Sequence, residues 1–263
     1  MKLEALLFDV DGTLADTEEL HRQSFNQTFL DFGFGWNWDP ELYQDLLHVS
    51  GGADRIARYL DIIDLSAAEK TRLRRLIPAI HREKTRTYGE LMRGNSVRLR
   101  PGVARLVEEA RQAGVRIGLA ATSASANVQA LIATAFGRDA QRAIHAVVCA
   151  DQVARKKPAP DIYEHLLTML RTPAAGGVAF EDSANGLAAA KGAGLFTVVT
   201  PTRSTMKQKF IGADLVIPTL GDPGHPIDPA VASHLGQPYL DLAALEALRF
   251  SVRPALQLRE AGS

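Results

Sequence analysis

Five short apolar runs, separated by helical patterns, limit the folds open to this chain of 263 residues. Runs of this length are typical of strands buried on both faces of a sheet. They are Leu3–Phe8, Val115–Ala120, Ala146–Cys149, Val178–Phe180 and Thr197–Val199. Apolar residues at helical spacing lie between the later runs. Alternating strands and helices predict an α/β fold with a central parallel sheet flanked by helices.

The segment after the first run does not follow this alternation. Residues 17–92 contain helix-spaced apolar residues, among them Phe25, Phe29 and Phe32, but no convincing strand. Pro78 interrupts a second helical stripe, which predicts two helices or one kinked helix there. We therefore expect a discontinuous core domain, residues 1–16 and 93–263, with a helical domain inserted at residues 17–92. The second crossing is expected near Arg93–Arg100.

Composition excludes several classes of partner. Lysine plus arginine and aspartate plus glutamate are equal at 30 each, so the net charge gives no basic footprint for nucleic acid or a membrane surface. No apolar run approaches the roughly 18 residues of a membrane span. The single cysteine, Cys149, has no internal disulfide partner and is compatible with a reducing compartment. These features predict a cytoplasmic protein without nucleic-acid or membrane partners, and we expect it to be a monomer.

Two carboxylates follow the first strand pattern directly, in the sequence Asp9–Thr13. Ligands of open parallel sheets bind beyond the carboxyl ends of the strands, and a strand period of two points Asp9 and Asp11 the same way. Their mutual repulsion requires a divalent cation or a shared proton. Taken alone, the segment is also compatible with an ordinary turn rich in aspartate and glycine.

Three further polar segments follow later apolar runs and are expected at the same sheet edge. They are Thr122-Ser123, Lys157-Pro158 and Glu181-Asp182-Ser183. Each has an ordinary explanation alone, as a helix cap, a surface lysine and an acidic helix start. Together they supply the hydroxyl donors, cation and acidic groups that phosphoryl transfer requires around a nucleophile. The set therefore predicts a phosphoryl-transfer site.

These four segments resemble, in order and spacing, the four motifs of haloacid dehalogenase phosphatases. The resemblance covers nearly the whole chain. It implies a Rossmann-like core with the helical insert as a mobile cap over the site.

The resemblance also assigns roles to five residues. Asp9 is expected to attack phosphorus and form an aspartyl phosphate, while Asp11 protonates the leaving alcohol and then activates water. Magnesium is expected on the Asp9 carboxylate, the Asp11 backbone carbonyl and the Asp182 carboxylate, with Glu181 supporting these ligands. Lys157 is expected to pair with Asp9 and with a phosphate oxygen.

The hydroxyl motif departs from the family pattern by one position. The family usually places its hydroxyl where this chain has Ala121. Both Thr122 and Ser123 are therefore candidates for binding the phosphoryl group, with Thr122 preferred. A shift of one residue matters because it turns a side chain to the other face of an extended strand.

Four segments of the insert resemble the cap of CbbY-type phosphatases within this superfamily. They are Ala15–His21, Trp36–Asp39, Gly51–Ile56 and Ile80–Thr85. This resemblance implies hydrolysis of xylulose-1,5-bisphosphate to xylulose 5-phosphate, which removes an inhibitor of Rubisco.

A bisphosphate requires a second anion site away from Asp9. The insert offers Arg55, His81 and Lys84 around a turn at Gly51-Gly52, whose backbone amides are donors. The other basic residues of the insert are expected to form a solvated helix face.

Three more residues of the insert are candidates for substrate binding. Glu18 and His21 are expected to bind sugar hydroxyls. Tyr43 lies on a helical pattern that starts near Asp39, so it is expected either to line the same pocket or to belong to the core of the cap.

Three other functions are compatible with the same motifs. A sugar phosphomutase such as β-phosphoglucomutase shares the Asp9 chemistry but returns the phosphoryl group to a sugar. A phosphoglycolate phosphatase would not need Arg55 and Lys84. A regulatory binding module could retain the fold without catalysis, although the complete acidic and lysine set argues against it.

Overall fold

Seven parallel strands form one sheet in the computed structural model, which describes residues 2–94, 97–136, 142–250 and 256–257. The spatial order is β3-β2-β1-β4-β5-β6-β7. The strands are β1 (Ala5–Phe8), β2 (Arg116–Ala121), β3 (Ile144–Cys149), β4 (Gly177–Glu181), β5 (Phe196–Val199), β6 (Leu215–Val216) and β7 (Leu256–Gln257). The predicted α/β fold with a central parallel sheet is confirmed.

Side chains of β1 alternate between two hydrophobic cores. Leu6 and Phe8 pack into one cluster, and Ala5 and Leu7 into the cluster on the opposite face. All four side chains are fully buried. Helices cover both faces: α6 (Val103–Ala113), α7 (Ser125–Ala135), α8 (Asp161–Leu170), α9 (Ala184–Gly192), α10 (Pro229–Leu235) and α11 (Leu242–Phe250). Burial on both faces explains why the strands have continuous apolar sequences.

The central strands are in a register that brings their carboxyl ends together. Phe8 is paired with Leu119 of β2 and with Phe180 of β4. The loops that carry the acidic and hydroxyl motifs therefore leave the sheet at a common edge, which is the usual ligand-binding edge of an open α/β sheet.

Five helices lie between β1 and β2 in sequence. They are α1 (Glu18–Asp31), α2 (Pro40–Leu46), α3 (Gly52–Ile62), α4 (Ala67–Arg74) and α5 (Ile77–Gly94). Pro78 lies in the first turn of α5, where its missing N–H costs no helical hydrogen bond, so the predicted interruption is a break between α4 and α5. An aromatic cluster holds these helices together, including Phe25, Trp38 and Tyr43. The boundaries 16/17 and 92/93 remain predictions.

The two connections between the helical insert and the sheet run side by side. Ala15 and Leu99 form an antiparallel bridge, and the Arg100 amide donates to the Leu14 carbonyl at 2.8 Å. The predicted second crossing, Arg93–Arg100, includes residues 95 and 96, which lie outside the described residues.

The structure differs in detail from what the sequence patterns indicate. The second strand begins at Arg116 because the Val115 amide closes helix α6 by donating to the Ala110 carbonyl. Strands β6 and β7, of two residues each, were too short to give an apolar run. Residues 218–238 are rich in proline and glycine and gave no functional signal in the sequence, and they contain helix α10, which Asp228 caps. Within the described ranges, no helix has both the length and the apolar character needed to cross a membrane.

Candidate active site

Lys157 joins two carboxylates at the carboxyl edge of the sheet. Its Nζ donates to Asp9 Oδ1 and to Glu181 Oε1, both at 2.6 Å, and to the Ala120 carbonyl at 3.1 Å. Tyr163 also donates to Glu181 Oε1, at 2.5 Å. All four of these side chains are buried, so the two ion pairs are shielded from solvent. The predicted pairing of Lys157 with Asp9 is present.

Three carboxylates at this edge form a candidate metal site. Ligand oxygens of Asp9, Glu181 and Asp182 all lie within 4.8 Å of one another. Burial and the neighbouring Glu181 raise the pKa of Asp9 to about 7 against the opposing charge of Lys157. Burial, followed by the charge of Asp9, raises the pKa of Asp182 well above its ordinary value. Three oxygen donors that lack enough positive charge suit a hard divalent cation.

A buried carboxylate oxygen supports the same conclusion. Oε2 of Glu181 has no hydrogen-bond partner among the described residues. An unpaired buried oxygen of this kind is unfavourable unless an ion or a donor satisfies it. The donor set therefore fits a hard divalent cation such as the predicted magnesium ion. Whether Glu181 is a ligand or only supports the ligands, as predicted, remains a prediction.

Gly12 allows the first motif to approach the metal carboxylates. Its φ is +86°, and a Cβ at this position would lie 2.3 Å from Asp182 Oδ2. Only glycine meets both conditions without strain.

Arg100 was not predicted as a site residue, but it anchors the same loop. Its Nη1 donates to the Gly12 carbonyl at 2.5 Å and to the Thr200 carbonyl at 2.6 Å. Its Nη2 donates to the carbonyls of Pro201 and Pro218 at 3.0 and 2.8 Å. The guanidinium thus fixes the turn after Asp11 against the loops that follow β5 and β6.

Asp11 accepts three side-chain hydrogen bonds. Thr17 donates to Oδ1 at 2.7 Å, His21 Nε2 lies 3.0 Å from the same oxygen, and Ser123 donates to Oδ2. Burial alone would raise the pKa of Asp11, but its interactions with His21, followed by the hydrogen bonds from Ser123 and Thr17, hold the pKa below its ordinary value. The structure therefore favours the ionised form of Asp11.

Lys84 extends this network to helix α5. Its Nζ lies 2.5 Å from His21 Nδ1 and 4.8 and 4.9 Å from the ring centroids of Phe25 and Tyr88. Burial lowers the pKa of Lys84 to about 7, although the Asp11 charge opposes the shift. Burial also lowers the pKa of His21, whose ring stacks on Tyr88 at 4.1 Å.

One cavity between the sheet edge and the inserted helices contains nearly all of the predicted site residues. Its lining includes Asp9, Asp11, Glu18, His21, Gly51, Gly52, Arg55, His81, Lys84, Thr122, Ser123, Lys157 and Asp182. Thr122 is half-buried and lines the cavity beside Ser123, so both hydroxyl candidates face it. Which of the two binds a phosphoryl group remains a prediction.

Unlike these residues, Tyr43 does not line the cavity. Its ring packs among the aromatic residues of the inserted helices. Its hydroxyl donates to Glu18 Oε2 at 2.7 Å and accepts from Arg55 Nη1 at 3.0 Å. The structure therefore places Tyr43 in the aromatic core of the inserted helices, where it positions two residues that do line the cavity.

The Gly51-Gly52 turn lies at the start of helix α3, facing His81. Gly51 has φ +96°, and a Cβ on Gly52 would lie 2.7 Å from His81 Nε2. Burial, then the charges of Lys84 and Lys156, lower the pKa of His81 to about 4. His81 is therefore neutral near pH 7.

Two further contacts, missed by the sequence analysis, join the inserted helices to the sheet domain. Lys156 Nζ donates to Asp54 Oδ2 at 2.5 Å. Asn185 Nδ2 donates to the His48 carbonyl at 2.9 Å and to Ser50 Oγ at 3.2 Å. Lys156 adjoins the predicted Lys157, and Asn185 follows Asp182-Ser183, so proximity to the motifs was the only available signal.

The haloacid dehalogenase-like hydrolase family matches residues 3–194. This chain therefore belongs to the haloacid dehalogenase-like hydrolase family. This confirms the prediction that the chain belongs to the family. The prediction that it is an enzyme of the phosphatase type is also confirmed.

Comparison with individual proteins gives a closer resemblance. The chain is 44% identical to Protein CbbY, plasmid, of Cupriavidus necator over 247 residues, covering 93% of this chain and 96% of that protein. Two crystal structures of CbbY from Rhodobacter sphaeroides are also similar. One contains phosphate, with a TM-score of 0.76, 46% identity and coverage of 82% of this chain and 94% of that one. The other, a mutant in complex with xylulose-(1,5)bisphosphate, has a TM-score of 0.77, 44% identity and coverage of 84% and 98%. The CbbY-like prediction is confirmed.

Proposed function

We propose that this enzyme is a magnesium-dependent phosphatase that hydrolyses a sugar phosphate through an aspartyl-phosphate intermediate on Asp9. The observation that carries the proposal is the ion pair between Asp9 and Lys157. The pair is buried at the sheet edge, where both residues line the cavity. Lys157 keeps one Asp9 oxygen oriented and supplies a cation for a phosphoryl oxygen. Asp11 lies in the same cavity as the acid and base.

Magnesium would be held by the carboxylates of Asp9 and Asp182 and by the backbone carbonyl of Asp11. Glu181 would support these ligands. When bound, the ion offsets the negative charge of the carboxylates and of the phosphoryl oxygens.

The reaction proceeds in two steps on residues of this chain. In the first, an Asp9 oxygen attacks phosphorus, the bond between phosphorus and the ester oxygen breaks, and protonated Asp11 gives its proton to the leaving alcohol. In the second, Asp11 takes a proton from water as the water attacks the aspartyl phosphate. This releases inorganic phosphate and restores Asp9.

The contacts of Asp11 support the second step most directly. Donation from Thr17, His21 and Ser123 stabilises its carboxylate form, which is the form that accepts a proton. The proton taken from water in one turnover then serves the leaving alcohol in the next, so no additional acid is required.

The proposed substrate is xylulose-1,5-bisphosphate, converted to xylulose 5-phosphate. The similarity to CbbY structures, one of them with this bisphosphate, supports the choice. So do the cationic Arg55 and Lys84 in the cavity, which would face the second phosphate with the Gly51-Gly52 amides and His81. Glu18 would bind a sugar hydroxyl. His21, predicted for the same role, has both ring nitrogens engaged by Asp11 and Lys84 and would instead orient Asp11. Removal of a Rubisco inhibitor follows from this reaction.

Phosphate release across four substrates tests this proposal. The substrates are xylulose-1,5-bisphosphate, ribulose-1,5-bisphosphate, phosphoglycolate and β-glucose 1-phosphate, compared by kcat/KM. The proposal predicts a preference for the first, and Arg55→Ala should weaken use of bisphosphates more than use of phosphoglycolate. Arg58→Ala, on the same helix but outside the cavity lining, is the control. Preference for phosphoglycolate would reject the substrate, and phosphoryl return to a sugar would identify a mutase.

We also propose a core domain of residues 1–16 and 93–263, a cap of residues 17–92, a cytoplasmic location and a monomeric state. The free, buried Cys149 is consistent with a reducing compartment. Light scattering during size-exclusion chromatography and cell fractionation test the last two points, and a stable dimer or an exported protein would contradict them.

A further inference from the structure

The hydroxyl of Tyr163 shares one carboxylate oxygen with the ammonium group of Lys157. Tyr163 Oη donates to Glu181 Oε1 at 2.5 Å, and Lys157 Nζ donates to the same oxygen at 2.6 Å. The Tyr163 side chain is fully buried and does not line the cavity. Tyr163 therefore does not contact a substrate there, and any effect it has on the reaction passes through Glu181 and Lys157.

The position of Lys157 depends on its hydrogen-bond partners, because its ammonium group is carried by a flexible side chain of four carbons. An ammonium group has three N–H donors, and the acceptors here are Asp9 Oδ1, Glu181 Oε1 and the Ala120 carbonyl. The bond to Ala120 is the longest at 3.1 Å, whereas both bonds to carboxylates are 2.6 Å. The place of Lys157 beside Asp9 is therefore set largely by where the Glu181 carboxylate lies.

The Glu181 carboxylate is itself held at one oxygen only. Its Oε2 accepts no hydrogen bond from the described residues, so both donors act on Oε1. Hydrogen bonds to an ionised acceptor are short and strong, which suits the 2.5 Å bond from Tyr163. If the Tyr163 hydroxyl were removed, Lys157 would be the only donor left among the described residues, and the carboxylate could rotate together with the ammonium group.

The ring of Tyr163 makes a separate contact with Lys157. Lys157 Nζ lies 5.2 Å from the ring centroid, within the range of cation–π attraction. Tyr163 lies in the first turn of α8, so the segment that carries Lys157 also places this ring behind it. We infer that Tyr163 is a positioning residue whose hydroxyl, by holding the Glu181 carboxylate, keeps the Lys157 ammonium group against Asp9. The inference rests on the proposed phosphatase activity but does not depend on which phosphate ester is used.

Tyr163→Phe tests the inference, because it removes the hydroxyl and keeps the ring in the core. Measured well below the Tm of the variant, kcat should fall roughly tenfold while KM stays within about twofold, since no residue of the cavity lining is changed. The loss in kcat/KM should be the same for the best sugar phosphate and for p-nitrophenyl phosphate, because Asp9 and Lys157 act on the phosphoryl group that both substrates share. Tyr59→Phe is the matched control, since Tyr59 is buried among the inserted helices and its hydroxyl has no hydrogen-bond partner among the described residues.

A crystal structure of Tyr163→Phe adds a measurement that needs no substrate. We expect Lys157 Nζ to lie farther from Asp9 Oδ1 than the 2.6 Å of the wild-type contact. An unchanged kcat, an unchanged Lys157–Asp9 contact, a rise in KM alone or an equal loss in Tyr59→Phe would overturn the inference.

Different outcomes separate this inference from the proposed function. If wild type prefers a phosphate ester other than xylulose-1,5-bisphosphate, the substrate proposal fails while the Tyr163 comparison still applies. If wild type releases phosphate from no ester, the proposed function fails. The crystal structure then decides whether the Tyr163 hydroxyl positions Lys157, since a displaced ammonium group supports that role and an undisplaced one overturns it.

Discussion

Nε2 of His21 lies 3.0 Å from Oδ1 of Asp11, so a helix of the insert reaches the proposed acid and base of the sheet domain. The other ring nitrogen, Nδ1, lies 2.5 Å from the Lys84 ammonium, which is a donor. Nδ1 therefore accepts, and Nε2 carries the proton that points to Asp11. His21 fixes the orientation of Asp11 as a neutral donor.

His21→Ala should lower kcat by roughly tenfold to a hundredfold with a smaller change in KM, because Asp11 loses an orienting donor. Steady-state phosphate release measures both constants. His165→Ala, at an exposed position of α8, is the control and should match wild type. A raised KM with unchanged kcat would instead mean that His21 acts only on the substrate.

The Lys156–Asp54 pair should matter more for substrate binding between the proposed cap and core than for stability. Both side chains are more than a third exposed, and such pairs contribute about 0–1 kcal/mol. Lys156→Ala and Asp54→Ala should each raise KM roughly twofold to fivefold, and the double variant should add little, because both remove one contact between the domains.

A pair inside the insert provides the comparison for that double-mutant cycle. Arg74 and Asp61 form an exposed ion pair without joining the two domains. Asp61→Ala should therefore leave KM unchanged. In urea unfolding, it should lower the free energy of unfolding by about as much as Lys156→Ala or Asp54→Ala does. If the effects of Lys156→Ala and Asp54→Ala on KM are fully additive, the pair does not couple the domains.

Acid should destabilise the enzyme through His81. Its pKa of about 4 in the folded state is below the ordinary value of about 6.5, since burial and then Lys84 and Lys156 disfavour the charged ring against the charge of Asp54. The unfolded state binds more protons in this interval, so stability present above pH 6.5 is lost as the pH falls toward 4. When the pH is lowered from 7.5 to 5, the free energy of unfolding of wild type should fall by on the order of 1–2 kcal/mol more than that of His81→Gln. Urea unfolding at the two pH values measures both changes. Equal losses would contradict the assignment.

Gly186→Ala should disrupt the acidic cluster. A Cβ there would lie 1.7 Å from Glu181 Oε2, so Glu181 must move away from Lys157 and Tyr163. We expect the free energy of unfolding, measured in urea, to fall by about 1–3 kcal/mol. Little phosphatase activity should remain. Gly89→Ala is a matched helical glycine, with Arg93 as its nearest neighbour at 3.7 Å, and should be neutral or stabilising. Wild-type behaviour of Gly186→Ala would exclude a fixed position for Glu181.

The core of the site was predictable because its residues follow strands that sequence alone identifies. Asp9, Lys157 and Asp182 each come shortly after a buried apolar run, and a parallel sheet brings such positions to one edge. Their separation in the chain did not matter, since the topology determined their proximity.

The remaining residues depend on contacts that no local pattern encodes. Arg100 reaches Gly12 across 88 positions, and Lys156 reaches Asp54 across 102. For Tyr43, the sequence left two locations open because helical periodicity identifies a buried face without identifying what it packs against.

The most direct test of the central proposal is inorganic phosphate release from xylulose-1,5-bisphosphate by wild type and Asp9→Asn, with magnesium and with a chelator. Asp16→Asn, at an exposed position nearby, is the control. We predict release by wild type and Asp16→Asn only with magnesium, and none by Asp9→Asn, which lacks the attacking carboxylate. Full activity of Asp9→Asn, or activity that survives the chelator, would contradict a magnesium-dependent mechanism through an aspartyl phosphate on Asp9.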